Sequence, residues 1–140
     1  MREILFRGKE LDTGIWIEGW YERYPFGRWP LKDAIIPYED AENGEYRPVE
    51  VDPATVGQYT GLTDKNGQRI FEGDLVQAVL PPSISQPSFV WPIMPVVFSD
   101  GVFGLQDQRG GVTPLNSFAP SVTFEVMGNV HDNPELLKEE

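Results

Sequence analysis

The residues that carry out nucleophilic or acid–base catalysis are scarce in this chain. It has no cysteine and a single histidine, His131, near the C-terminus. A Ser–His–Asp or Cys–His arrangement needs a histidine beside a nucleophile, and this composition does not favour one. Glu72 and Asp74 stand two residues apart, a spacing that puts two carboxylates on one face of a strand, as a glycosidase pair could require. Because Gly73 lies between them, we expect a turn in which Asp74 accepts backbone N–H bonds, and we predict no catalytic residue.

A metal or cofactor site is not indicated either. One histidine without cysteine cannot complete a zinc site. Residues 64–67, which read DKNG, resemble the opening of a calcium loop, but the distal glutamate of such a loop is absent. The phosphate-binding patterns Gly-x-x-x-x-Gly-Lys-Ser/Thr and Gly-x-Gly-x-x-Gly do not occur. We therefore expect no metal ion and no cofactor.

The chain is strongly acidic, with 22 acidic and 11 basic residues and a formal net charge of −11. Phosphate backbones repel such a chain unless its cations are concentrated, and between Leu75 and Phe124 Arg109 is the only cation. We therefore do not expect nucleic acid as the partner. The alternative is a nucleic-acid-related role, either direct binding by the aromatic residues of a small barrel or acidic mimicry that inhibits a host nucleic-acid-binding protein. The candidate acidic surface consists of Glu39, Asp40, Glu42 and Glu45.

The elements that would position these residues are short β-strands joined by turns. Fourteen glycines and 13 prolines interrupt helices and favour turns. Asn66-Gly67 predicts a type I′ hairpin turn, and Asp100-Gly101 predicts the turn of a second hairpin. Asp52-Pro53 suits the N-cap and first residue of a single helical turn, and Asn133–Lys138 reads as a short terminal helix that begins in the same way.

These patterns predict an all-β fold, mainly antiparallel, with an SH3-like small barrel in the C-terminal half. Residues 1–56 would form an N-terminal β-lobe that includes an acidic loop at 39–50. Residues 57–140 would form the barrel, with a proline-rich insertion at 81–95 and a short C-terminal helix.

The proline-rich insertion is unusually apolar for a loop. Proline lacks the N–H group that a sheet ladder needs, and five prolines fall between Pro81 and Pro95. The stretch from Phe89 to Phe98 either covers the open end of the barrel or docks on another subunit, and Trp91 would be the anchor in the second case. The candidate protein interface consists of Phe89, Trp91, Ile93 and Met94.

Three segments of the sequence form a recognisable pattern. Residues 56–76 read VGQYTGLTDKNGQRIFEGDLV, residues 2–8 read REILFRG ahead of a strand with Trp16, and residues 125–137 read EVMGNVHDNPELL. In this order they resemble the YopX family of small bacteriophage and prophage proteins. The acidic loop and the proline-rich insertion match no part of the family pattern.

The resemblance implies a β-rich protein with an SH3-like C-terminal half, and it brings no established enzymatic activity. We therefore expect a non-enzymatic phage or prophage accessory protein that binds protein and associates with itself. Its partners would be further copies of the chain, as a homo-oligomer, and a host or phage protein. No apolar run approaches the roughly 20 residues of a membrane helix, and the first residues lack the apolar region of a signal peptide. We therefore expect no membrane partner and a location in the cytoplasm of the bacterial host cell.

Overall fold

Antiparallel β-structure dominates the molecule. The structure, a computed structural model, describes residues 3–25 and 31–137, so Arg2 and Lys138 of the sequence patterns lie outside the described residues. The prediction of an all-β fold is confirmed, because strands prevail and none of the described helices is long. The chain divides into two compact units, Met1–Gly61 and Leu62–Glu140.

The N-terminal unit is built on an antiparallel sheet in which the strands follow the order β4-β3-β2-β1-β5. These elements are β1 (Phe6–Lys9), β2 (Trp16–Pro25), β3 (Leu31–Pro37), the helix α1 (Tyr38–Glu42), β4 (Val49–Glu50) and β5 (Gly57–Thr63), whose last residues belong to the next unit. Its buried apolar side chains are Leu5, Ala34, Ile35, Ile36, Val51 and Tyr59. Gly19 is required where β2 meets β3, because a Cβ atom there would lie 1.9 Å from the carbonyl oxygen of Ile36.

The predicted acidic loop at 39–50 is a loop only in its middle. Its first residues belong to α1, where Glu39 and Asp40 lie in the first turn and complement the helix dipole, and its last residues form β4. The predicted helical turn after Asp52 is confirmed as a 3-10 turn at Pro53–Thr55, with the Asp52 carboxylate accepting the N–H of Ala54 at 3.0 Å.

The C-terminal unit contains a curled sheet with the strand order β11-β10-β9-β7-β12. Its strands are β6 (Arg69–Phe71), β7 (Asp74–Leu80), β8 (Phe89–Val90), β9 (Met94–Ser99), β10 (Val102–Gln106), β11 (Val112–Pro114) and β12 (Thr123–Asn129). β9, β10 and β11 form a meander, and a 3-10 turn at Leu115–Ser117 leads to β12, which returns beside β7. The pairing of β12 with β7 shifts by one residue at Met127, a bulge that bends the strand. The half-barrel confirms the SH3-like prediction, and a 3-10 turn at Pro134–Leu137 confirms the short terminal helix.

The two hairpin turns differ from one another in geometry. Asp100 and Gly101 both have positive φ angles, 52° and 83°, as a type I′ turn requires. The type I′ prediction at Asn66-Gly67 was wrong, because Gly67 has a φ of 81° while Asn66 is not among the described residues with positive φ. The turn is wider there, with a backbone bond of 2.8 Å from the N–H of Asp64 to the carbonyl of Gln68, since the Asp64 side chain organises the loop.

The core of the C-terminal unit is apolar and rich in aromatic rings. Its buried members are Ile70, Val76, Ala78, Met94, Val96, Leu105 and Leu115. Partly buried side chains pack around them, namely Trp91, Phe103, Phe118, Val122, Phe124 and Val126. The proline-rich insertion therefore contributes directly to this core through Trp91 and Met94.

Candidate interaction site

The connection between β7 and β9 projects from the barrel as a hairpin, which we call the arm (residues 81–90). All ten of its residues are exposed and none is charged. Its base is formed where Val79 and Leu80 of β7 pair with β8. Its tip closes where the N–H of Ser83 donates to the carbonyl of Gln86 at 2.8 Å, which leaves Ile84 fully exposed at the turn.

A ladder of aromatic rings fixes the base of the arm to the core. Phe89 meets Trp91 edge to face at 4.8 Å between ring centroids, Trp91 meets Phe118 at 5.4 Å, and Phe118 meets Phe124 at 5.3 Å. The N–H of Trp91 also donates to the carbonyl of Ala78 at 3.0 Å. Each such aromatic pair adds about 0.5–1.5 kcal/mol beyond the burial of its area, so the ladder holds the arm in a defined place.

Beside the base of the arm lies a cavity of about 330 Å³, which we call the groove. One wall is the segment Trp91–Pro95, a second is Gln106–Gln108 at the end of β10, and Leu137 of the terminal 3-10 turn closes a third side. Apolar side chains form the first and third walls, while the second is polar. Pro92 and Pro95 fix the backbone of the first wall, so the groove exists before anything binds to it.

The four residues predicted as a protein interface divide between the core and the surface. Met94 is 8% exposed and belongs to the core, and Trp91 packs against it, so these two cover the barrel. Phe89 is 53% exposed at the arm, and Ile93 lines the groove. Ile84 was missed, although a β-branched apolar residue between two serines at a hairpin tip is a visible signal. The walls formed by Gln106–Gln108 and Leu137 carried no sequence signal.

The predicted acidic surface lies on and just after α1. Glu39, Glu42 and Glu45 are exposed and Asp40 is partly buried. Glu45 forms an ion pair of 3.0 Å with Arg47, an exposed contact that contributes little to stability. No feature of this surface beyond its charge points to a ligand.

Of the groups weighed for catalysis, Asp74 is engaged in structure. The Asp74 side chain is 1% exposed, and its carboxylate accepts the N–H of Phe71 at 2.7 Å, so it faces away from solvent and from any substrate. His131 is exposed in the turn before the terminal helix. Within residues 3–25 and 31–137, no cluster of three or more His, Asp or Glu side chains is placed to hold a metal ion. In the same ranges no helix has both the length and the apolar character needed to cross a membrane.

Asp64 ties its turn to the last strand of the barrel. One carboxylate oxygen accepts the N–H groups of Asn66 and Gln68, and the other accepts the N–H of Val126 in β12, each at 2.9 Å. Burial by itself raises the pKa of Asp64, but the three N–H donors and the charge of Lys65 outweigh burial, so this pKa lies below its usual value. The carboxylate is thus a structural link within the barrel.

A second structural link closes the chain after β12. The side-chain oxygen of Asn133 accepts the N–H of Asn129 at 3.1 Å, and the Asn129 side-chain oxygen accepts the N–H of Asp132 at 2.8 Å. A Cβ atom on Gly128 would lie 2.5 Å from the Asn133 oxygen, so only glycine leaves room for it. The side chain of Asn133 therefore turns back to β12, although the sequence predicted it as a helix cap.

Comparison with known proteins agrees with this architecture. The family model described as YopX protein matches residues 6–138. The chain is similar to the crystal structure of protein EF1440 from Enterococcus faecalis, with 24% identity and a TM-score of 0.54, over 99% of this chain and 100% of that one. At this identity the likeness shows the fold alone. No curated protein matches the chain.

Proposed function

The chain belongs to the YopX family, and we propose that it is a non-enzymatic accessory protein of a bacteriophage or prophage that binds protein and associates with itself. Its site of action would be the cytoplasm of the bacterial host cell. The observation that carries the proposal is the arm, a hairpin of ten exposed residues without a charge and with Ile84 at its tip. Exposed apolar side chains grouped beside an apolar groove are typical of protein interfaces.

The arm carries no charged side chain, and this favours its contact with another copy of the chain. Two copies of a chain with a net charge of −11 repel one another, so a contact between them is favoured where few charged side chains lie. Residues 75–99 contain no charged side chain, and this run includes the arm and the first wall of the groove. A cationic partner would be drawn to other parts of the surface.

A binding role also fits the use of the polar groups in the barrel. The carboxylates of Asp64 and Asp74 are engaged with backbone N–H groups, which leaves neither as an acid, base or nucleophile. The arm needs no such chemistry, since an apolar contact forms through burial alone.

Light scattering and sedimentation over a range of concentrations test self-association. We expect a mass above that of the monomer, and we expect Ile84→Asp to restore the monomer. Burying an isoleucine side chain stabilises a contact by about 1.5–3 kcal/mol, so its loss should weaken association roughly 10- to 100-fold.

The matched control is Ile15→Asp, the same substitution at another exposed isoleucine, in the N-terminal unit. It should leave the mass unchanged. A wild-type chain that stays monomeric at every concentration would refute the proposal, and so would equal losses from both variants.

A further inference from the structure

We propose that the arm of one copy of this chain enters the groove of another, with Ile84 as the inserted side chain. This inference rests on the proposed self-association and names the contact that would produce it. It assigns the occupant of the groove as a second copy of the same chain.

The tip of the arm has the wrong chemistry for a turn that only faces water. Two-residue hairpin turns favour glycine, asparagine and aspartate, which suit the backbone and the solvent. Here the two residues between Ser83 and Gln86 are Ile84 and Ser85, and Ile84 is fully exposed. No residue in the described part of the chain buries this isoleucine, whereas a contact with another molecule would.

The groove has the matching chemistry. Its apolar walls carry Trp91, Ile93 and Leu137, and its polar wall carries Gln106, Asp107 and Gln108. One carboxylate oxygen of Asp107 accepts the N–H groups of Arg109 and Gly111, so the two glutamine amides are the neutral groups of this wall. A volume of about 330 Å³ is at the lower end of the range of about 300–1,000 Å³ for ligand pockets, which is ample for one side chain and its flanking turn.

The tip of the arm, like the groove, combines an apolar part with polar side chains beside it. Ile84 stands between Ser83 and Ser85, whose hydroxyl oxygens lie 3.3 Å apart. When Ile84 enters the apolar part of the groove, these two hydroxyls come to the level of the glutamine wall. The glutamine amides can donate to and accept from hydroxyl groups, so the polar atoms at the rim keep hydrogen-bond partners.

The contact must form between copies, because the tip of the arm is fully exposed and so does not lie in the groove of its own chain. Arm and groove are different surfaces, so each arm–groove contact joins unlike surfaces of two copies. Two copies can exchange arms reciprocally, or successive copies can continue in a row. Both arrangements place residue 84 of one copy beside residues 106–108 of another.

The absence of cysteine allows a direct test by disulfide trapping. Ser85→Cys, which leaves the Ile84 side chain in place, and Gln108→Cys are prepared as separate single variants of different mass, mixed and oxidised. The control mixture pairs Ser85→Cys with Ser121→Cys, an exposed residue outside the groove. The first mixture should give at least about tenfold more mixed dimer, since docking raises the effective concentration of the two thiols.

A second variant tests the groove without touching the arm. Leu137→Asp should weaken association measured by light scattering about as much as Ile84→Asp, because each removes one side of the same contact. The double variant should be no weaker than either single one, because the interaction is already lost.

The outcomes separate the two proposals. If the chain associates but the two cysteine mixtures cross-link equally, the arm–groove contact is wrong while self-association stands. If the chain is monomeric at every concentration and neither mixture cross-links, both proposals are overturned.

Discussion

Replacing Asp64 by asparagine isolates one hydrogen bond between the hairpin turn and β12. The substitution keeps the shape of the side chain and changes one carboxylate oxygen into an NH2 group. The remaining oxygen can still accept the N–H groups of Asn66 and Gln68. The NH2 group faces the N–H of Val126, so two donors meet and the bond of 2.9 Å is lost.

The chain contains a matched control for this substitution. Asp107 organises the β10–β11 turn through the same local bonds, with one oxygen accepting the N–H groups of Arg109 at 2.9 Å and Gly111 at 2.8 Å. Its turn also closes in the same way, by a 2.8 Å bond from its own N–H to the carbonyl of Gly111. In the Asp64 turn the second oxygen holds the N–H of Val126, whereas Asp107 forms no corresponding long-range bond to the residues that the structure describes. Asp107→Asn therefore measures how much the free energy of unfolding changes when the charged acceptor of such a turn becomes neutral.

The difference between the two variants reports the link to Val126 together with the burial of Asp64, which is 6% exposed whereas Asp107 is exposed. A hydrogen bond to a charged group contributes about 1.5–3 kcal/mol to stability. Leaving the N–H of Val126 unpaired costs a similar amount, and because both figures describe the same loss they are not summed. We therefore expect Asp64→Asn to lower the free energy of unfolding by roughly 1.5–3 kcal/mol more than Asp107→Asn does.

Urea unfolding of both variants checks this difference, and amide hydrogen exchange at Val126 checks its origin. The Val126 amide should exchange faster in Asp64→Asn than in Asp107→Asn. Equal unfolding free energies, or unchanged protection of Val126, would refute the reasoning.

The contribution of Asp64 to stability depends on pH in a defined direction. Because the folded pKa of Asp64 is lowered, its contribution is present above the unfolded pKa of about 3.9 and is lost as the pH falls through the lower folded value. The gap between wild type and Asp64→Asn should therefore close in acid.

Two further substitutions test other structural links. Gly128→Ala should lower the free energy of unfolding by about 1–3 kcal/mol, because the new Cβ atom displaces the Asn133 side chain. In an Asn133→Ala background the same substitution should cost much less, and a double-mutant cycle of urea unfolding measures this difference. In the N-terminal unit, the hydrogen bond from the Tyr21 hydroxyl to the Asp33 carboxylate, together with burial, raises the pKa of Tyr21. The stability that this bond contributes is complete below the unfolded pKa of about 10 and is lost as the pH rises through the folded pKa. Tyr21→Phe should therefore show a flatter decline in the free energy of unfolding above about pH 10 than wild type does. A decline as steep as that of wild type would contradict this assignment.

The sequence predicted those features whose causes are local. Asp100-Gly101 forms its type I′ turn because the two residues themselves tolerate positive φ angles, and Asp52 caps the N–H of Ala54 two residues away. Asn66-Gly67 did not follow the same rule, because the Asp64 carboxylate accepts the N–H groups of Asn66 and Gln68 and closes a wider turn, as the Asp107 carboxylate does in the β10–β11 turn. The second oxygen of Asp64 is held by Val126, 62 residues away. A local pattern cannot include such a partner.

The candidate site was predictable only in part for the same reason. The apolar character of the insertion indicated an unusual segment, but not which of its side chains turn inward. Met94 opens β9 and points into the core, whereas Phe89 and Val90 of β8 remain half exposed. The groove draws its walls from three separate parts of the chain, so the sequence gives no sign that Trp91, Gln108 and Leu137 share a cavity.

Residues of the family pattern and residues of the arm differ in what their side chains contact. In the segments that resemble the family pattern, Asp64, Asp74 and Asn133 are occupied in holding turns and strands together, so a change at any of them is first a change in stability. In the arm, by contrast, the residues from Pro81 to Ser88 are exposed, and the hydrogen bonds among Ser83, Ser85 and Gln86 are confined to the tip. Their side chains can therefore change with little effect on the barrel. The proposed binding can be altered there without loss of the fold, which is why Ile84, rather than a residue of the family pattern, is the informative position to test for function.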